Sequence, residues 1–137
     1  MSCGKEKEIE LAKLVCYKNI ASNNGIDTKL VTTVGYDGDD VKTYMLKWLI
    51  KYDENKFNEK DILDLVENTT DNYKTNYGGS SYVKISNTKI TAGEYAVIVD
   101  INYGKMPKKE REQYGFNFTD DYTKTKSSFV NAGYTCD

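Results

Sequence analysis

The sequence predicts an α+β domain: an antiparallel sheet of about five strands, made of two hairpins and an N-terminal strand, with two main helices packed on one face. Three observations carry this expectation. β-branched, alternating stretches are bounded by Gly- and Asx-rich turn clusters, and two stretches with apolar residues three and four apart interrupt them. The 137 residues contain no repeat or low-complexity block and suit one hydrophobic core. Residues 1–12 are expected to form a flexible tether and residues 13–137 the single domain.

Each element follows from local chemistry. Residues Met1 to Glu10 are charged and aperiodic, with a first helical turn over Glu6 to Lys13 as the competing reading. Leu14, Cys16, Tyr17 and Ile20 suggest a first strand, ended by the turn-forming Asn23-Asn24-Gly25. A β-branched run from Thr28 to Tyr36 meets Asp37-Gly38-Asp39-Asp40, and Val41 to Tyr52 resumes the strand pattern, which makes the strongest hairpin of the chain. In its second arm Tyr44, Leu46, Trp48, Ile50 and Tyr52 alternate with wetter positions, so Trp48 is expected in the core.

Asn58 is placed to cap a helix, with Phe57 and Ile62 able to staple its entry. Ile62, Leu65, Val66, Thr69, Tyr73 and Tyr77 would form its inner face, and Gly78-Gly79 its end. A second hairpin spans Tyr82 to Tyr103 around Thr91-Ala92-Gly93-Glu94, with Val83, Ile85, Val97, Val99 and Ile101 inward and Ile90 and Ile98 on the other face. Pro107 suits the first turn of a short helix through Gln113. Thr119 is expected to cap a final helix with Asp120 and Asp121 near its positive end, Tyr122, Phe129 and Val130 on its apolar face and Gly133 as terminator.

Composition narrows the function classes. With 19 Lys and Arg against 21 Asp and Glu the net charge is -2, which gives no basic field for nucleic acid. No apolar run approaches the roughly 20 residues needed to span a bilayer. Histidine is absent, so the commonest general base and metal ligand are missing. Acid pairs such as Asp61 with Asp64, or Glu94 with Asp100, are the remaining carboxylate candidates, and surface acids are too common to single them out. Asp37 to Asp40 lacks the ligand spacing of a calcium loop and reads as a hairpin turn. No catalytic residue, metal site or cofactor is assigned.

The cysteines carry more. Cys3 stands behind the small Ser2 and ahead of a charged run, like the mature end of a lipidated protein. Cys16 and Cys136 remain as a pair at opposite ends of the domain; a disulfide between them would close most of the chain, worth about 4.7 kcal/mol or slightly more on the chain-entropy account. Two buried reduced thiols in a cytosolic protein are the alternative. Two cysteines without histidine are too few for structural zinc. Twelve tyrosines supply most of the aromatic content. Tyr44, Trp48, Tyr52 and Tyr77, with Tyr73, Tyr82, Tyr95 and Tyr103, could line a groove for a peptide, glycan or lipid, although stripes at strand or helix spacing are more often core.

The chain resembles the small YehR-like bacterial lipoproteins. Cys3 with its charged tether, the strand of Leu14 to Tyr17, the Tyr36 to Val41 hairpin, the helix from Asn58, the Tyr95 to Ile101 strand and the closing Gly133-Tyr134-Thr135-Cys136 carry the resemblance. It implies an extracytoplasmic α+β domain anchored to the membrane through a lipid at Cys3, and it brings no active site with it. The expected function is a non-catalytic module at the cell envelope, monomeric, binding a protein or small-molecule partner. A secreted interaction protein such as a protease inhibitor, presenting a loop near Asn23 to Gly25 or Gly78 to Ser81, is the first alternative, and a carboxylate-based hydrolase the second.

Overall fold

A two-residue turn at Asn24-Gly25, with φ of 51° and 97°, joins the first two strands. Both signs are those of a type I′ turn, whose twist matches that of the strands it connects. The computed structural model describes residues 11–116, 118 and 120–137. Their elements run β1 (Ala12–Asn23), β2 (Ile26–Asp37), β3 (Asp40–Tyr52), α1 (Glu59–Tyr77), β4 (Val83–Thr91), β5 (Glu94–Ile101), α2 (Lys108–Gln113), α3 (Tyr122–Asn131) and β6 (Thr135–Cys136). The sheet has six strands in the order β4-β5-β3-β2-β1-β6, and every pairing is antiparallel. The α+β expectation therefore holds, with six strands rather than about five and the short α2 as a third helix. The additional strand is β6, whose two residues are too few to show a period in the sequence.

The register explains which side chains are buried. Leu14, Val34, Tyr44, Ile101 and Val83 stand opposite one another across five strands, and Cys16, Thr32, Leu46, Val99 and Ile85 form the next row. Directly opposed residues share a face, so these rows make one continuous apolar surface. Leu14, Cys16, Val34, Val97 and Val99 are fully buried. Trp48 is in the core as expected, opposite Val97. The other face presents Val15, Thr33 and Met45 in one row and Tyr17, Val31, Lys47 and Ile98 in the next, all partly exposed.

α1 lies over β4 and β5, and α3 over β1 and β6. Asn58 caps α1 by accepting the Lys60 amide at 2.9 Å, and Phe57 packs with Ile62 in the same apolar cluster. Ile62 and Val66 are buried, a contribution of about 3–6 kcal/mol for the two. The buried face runs Ile62, Val66, Thr70, so the helix is rotated from the expected one, and Leu65 is 40% exposed. Thr70 explains the rotation: its hydroxyl donates to the Val66 carbonyl at 2.7 Å and accepts from Asn87 on β4 at 2.9 Å, which satisfies a polar group at the interface.

α3 begins at Tyr122, capped by Asp121, whose carboxylate accepts the Thr123 amide at 2.9 Å and the Lys124 amide at 3.2 Å. The start expected at Thr119 falls on a residue outside those described. Tyr122 and Val130, expected inward, are 36% and 50% exposed; Phe129 packs inward as expected, and Thr125 is buried on the same helix. Gly133 ends the helix as expected, at φ 95°. The Tyr134 amide donates to the Phe129 carbonyl at 2.9 Å and the Gly133 amide to the Val130 carbonyl at 3.0 Å. This is the Schellman pairing, and the Phe129 and Tyr134 rings, 5.2 Å apart, make its accompanying apolar contact.

That turn aims the C-terminus at β1. Cys16 stands opposite Cys136, and the Asp137 amide donates to the Val15 carbonyl at 3.1 Å. The bond joins the residue after Cys136 to the one before Cys16, which marks a non-hydrogen-bonded pair, where side chains approach most closely. The Cα atoms are 4.1 Å apart and the sulfurs are joined in a disulfide across 120 residues of sequence.

Candidate binding site

A depression lies beside an irregularity in β1. Between Asn19 and Ala21 the register with β2 shifts, leaving Ile20 as an extra residue, 49% exposed. Bulges of this kind bend a strand and increase its local twist. The end of the β1–β2 hairpin borders a space of about 470 Å³ on Leu49, with Asn19, Ser22, Asp27, Lys51 and Glu94 around it. That volume lies within the usual range for small-molecule sites.

Cross-strand pairing arranges its charges. Asp27 stands opposite Lys51, and Lys51 opposite Glu94, so one lysine position lies between two acidic ones. Opposite charges at such positions favour the observed register. The Ser22 hydroxyl donates to the Asp27 carboxylate at 2.6 Å. Lys29, which also lines the space, holds its ammonium 4.7 Å from the centre of the Tyr17 ring. Amide, hydroxyl, carboxylate and ammonium groups above an apolar floor suit a polar ligand held by several hydrogen bonds. A carboxylate is a weak base for a serine hydroxyl, and the arrangement suits binding better than nucleophilic attack.

The aromatic residues named from the sequence lie elsewhere. Tyr44, Trp48 and Tyr52 are buried beneath the helices. Tyr44 meets Phe118 at 4.6 Å and Phe116 at 5.6 Å, both edge-on, and burial pushes its hydroxyl pKa above the ordinary tyrosine range. Tyr77 stacks on Tyr73 at 6.3 Å and meets Phe116 at 5.4 Å and Tyr114 at 5.7 Å. The stripe is therefore packing, and none of these four residues lines the depression. Of the acid pairs, Glu94 lines it while Asp100 borders a different hollow beside Asn102. Asp61 and Asp64 are exposed on α1. Asp37 and Asp40 pair across a two-residue turn, and no group of three potential metal-binding side chains occurs among the described residues. Cys3 lies outside the described residues.

One polar cluster has no sequence signal. Glu59, at the start of α1, accepts from Lys89 at 2.8 Å and from the Tyr95 hydroxyl at 3.0 Å. The Lys89 bond is the main cause that holds the Glu59 carboxyl below its ordinary value and raises Lys89 above its own. These residues are 30 and 36 positions from Glu59. Only the folded sheet brings them together, and their role is to pin α1 to β4 and β5.

No protein-family model and no curated protein matches the chain. Among solved structures, it is similar to an NMR structure of a protein from Streptococcus pneumoniae TIGR4, at 12% sequence identity with a TM-score of 0.53, over 97% of this chain and 90% of that one. At that identity the likeness is one of fold: the same α+β architecture on a different sequence.

Proposed function

We propose that the protein is an extracytoplasmic, lipoprotein-type domain of the YehR-like kind that binds a small polar ligand or partner without catalysing a reaction. The observation that carries this reading is the Cys16–Cys136 disulfide. Disulfides of this structural kind persist in oxidising compartments and are rare in the cytosol. The charged run after Cys3 supplies the tether, and the depression over Leu49 offers hydrogen-bonding groups in place of a reactive nucleophile.

The test is the intact mass of the protein from its own host, with thiol alkylation before and after reduction. Expected are a diacyl-sized increment on Cys3 and alkylation of Cys16 and Cys136 only after reduction. An unmodified chain whose three thiols alkylate without reductant overturns the proposal.

A further inference from the structure

The sheet ends differently on its two sides. On one side β1 is closed: β6 covers Cys16 and Tyr17, and the irregularity between Asn19 and Ala21 disturbs the rest of the edge. Short covering strands and bulges keep an edge from pairing with another chain. On the other side β4 runs for nine residues with β5 as its one strand partner. The Asn102 amide donates to the Tyr82 carbonyl at 2.9 Å, one position beyond the paired Val83 and Ile101. Bonded and non-bonded pairs alternate along an antiparallel ladder, so Lys84, Ser86 and Thr88 bond to β5, while Ile85, Asn87 and Lys89 turn their amides and carbonyls outward. The Tyr52 amide, donating to the Gly93 carbonyl at 2.9 Å, fixes the complementary set of β5 residues on the β3 side. Among the described residues no backbone group meets the outward row of β4. α1 leaves that edge open: Ile62 and Val66 pack with Tyr95 and Val97 of β5, one strand in, and Asn87 and Lys89 stay exposed.

The outward row is self-complementary. A twofold axis through Asn87 sets Ile85 against Lys89 of a second copy and Asn87 against its own counterpart, so each outward amide faces an outward carbonyl. Between them Ser86 meets Thr88 of the second copy, a cross-strand pair of hydroxyls that supports pairing. Lys84 and Lys89 fall opposite Ile90 and Ile85, and no lysine opposes a lysine. An axis through Lys89 would set two ammonium groups against each other, and one through Ile85 would need the Val83 amide, which already donates to the Ser80 carbonyl at 3.3 Å. The polar side chains next to the axis are satisfied within their own chain, Asn87 by Thr70 and Lys89 by Glu59. We propose that the protein forms a twofold dimer by antiparallel pairing of β4 with β4 of a second copy, centred on Asn87, in place of the monomer expected from the sequence. Because the β1 side is closed, assembly stops at two. The inference rests neither on the lipoprotein reading nor on the depression over Leu49.

The test is sedimentation velocity over a range of protein concentrations, with Cys3 alkylated first so that it cannot join two chains. Expected is a mass that moves from one chain to two and no further. Ser86→Lys with Thr88→Lys, both at exposed positions, sets lysine against lysine at two symmetric places and weakens association by about two- to thirtyfold, as for two like-charge cross-strand pairs. Ser86→Glu with Thr88→Lys sets opposite charges at the same places and restores it. The register is read by mild oxidation in chains that also carry Cys3→Ser. Opposed residues between bonded pairs bring their side chains closest, so a mixture of Ser86→Cys chains and Thr88→Cys chains is expected to give a covalent dimer with one of each, and either chain alone none. A mass that stays at one chain up to millimolar concentration, or an assembly larger than two, overturns the proposal. So does a double-lysine variant that associates as well as the parent, a mixture that does not cross-link, or cross-linking by one cysteine chain alone.

Discussion

Breaking the Cys16–Cys136 bond isolates the contribution of a single cross-link to this fold. The loop it closes spans 120 residues, for which the chain-entropy relation gives about 4.9 kcal/mol at 25 °C. A denatured chain that keeps some compactness loses less freedom, so the expected loss is about 3–5 kcal/mol. An unfolding entropy of about 2.1 cal/mol/K per residue over 137 residues amounts to about 0.29 kcal/mol/K, and the expected fall in Tm is about 10–17 °C. The native state offers little to offset this, because β6 contributes only two residues to the ladder. The assay is urea unfolding of the oxidised protein and of the protein held reduced, followed by far-UV circular dichroism. Because the cross-link acts mainly on the unfolded chain, the reduced protein should also show a larger m-value, its denatured state being more expanded. A loss under about 1 kcal/mol with m unchanged would refute this reasoning and mean that the two sulfurs are not joined in solution.

Three further outcomes follow from the packing. Ile50→Ala, at a fully buried position opposite Tyr95, should cost about 2–5 kcal/mol, whereas Ile90→Ala at a half-exposed position should stay within about 0.5 kcal/mol; equal urea midpoints would contradict the face assignment. Gly133→Ala places a Cβ where φ is 95° and should cost about 1–2 kcal/mol, with α3 amides next to it exchanging faster; unchanged exchange would mean that the Schellman turn does not hold the helix end. Glu59→Gln should lower Tm at neutral pH. The carboxyl is held below its ordinary value of 4.5, chiefly by Lys89, so its contribution is present above that value and disappears as pH falls through the lowered one. Lys89 is raised above 10.5, so its share is present below that value and is lost as pH rises through the raised one. Melts of both proteins should therefore converge in acid, and a gap that persists there would show that the bond to Lys89 is not its source.

The β-structure was the most legible part of the chain. The period-two alternation of Tyr44 to Tyr52 and the turn residues at Asn24-Gly25 and Asp37 to Asp40 encode strand boundaries and faces locally, because the side chain alternates with every residue and few residues tolerate positive φ. The helix from Asn58 was legible for a similar reason, since a cap and a staple are contacts within one turn. The rotation of α1 was not. It depends on Thr70 meeting Asn87, a contact that no local pattern records. The late start of α3 at Asp121 escaped because Thr119, Asp120 and Asp121 are all acceptable caps and packing against β1 and β6 chose among them.

What the sequence determined by itself was the supply of parts: an α+β order of elements, a chain without histidine, and two cysteines at the ends of the domain available to pair. Tertiary structure decided how the parts meet. The aromatic residues that a stripe offers equally to a groove or a core went to the core, because the α-helices cover the face on which Tyr44, Trp48 and Tyr52 stand. The depression over Leu49 exists only because strands far apart in the chain are brought side by side. Periodicity and propensity act over a few residues, whereas a cavity is a property of distances between segments, and those are set only when the whole core packs.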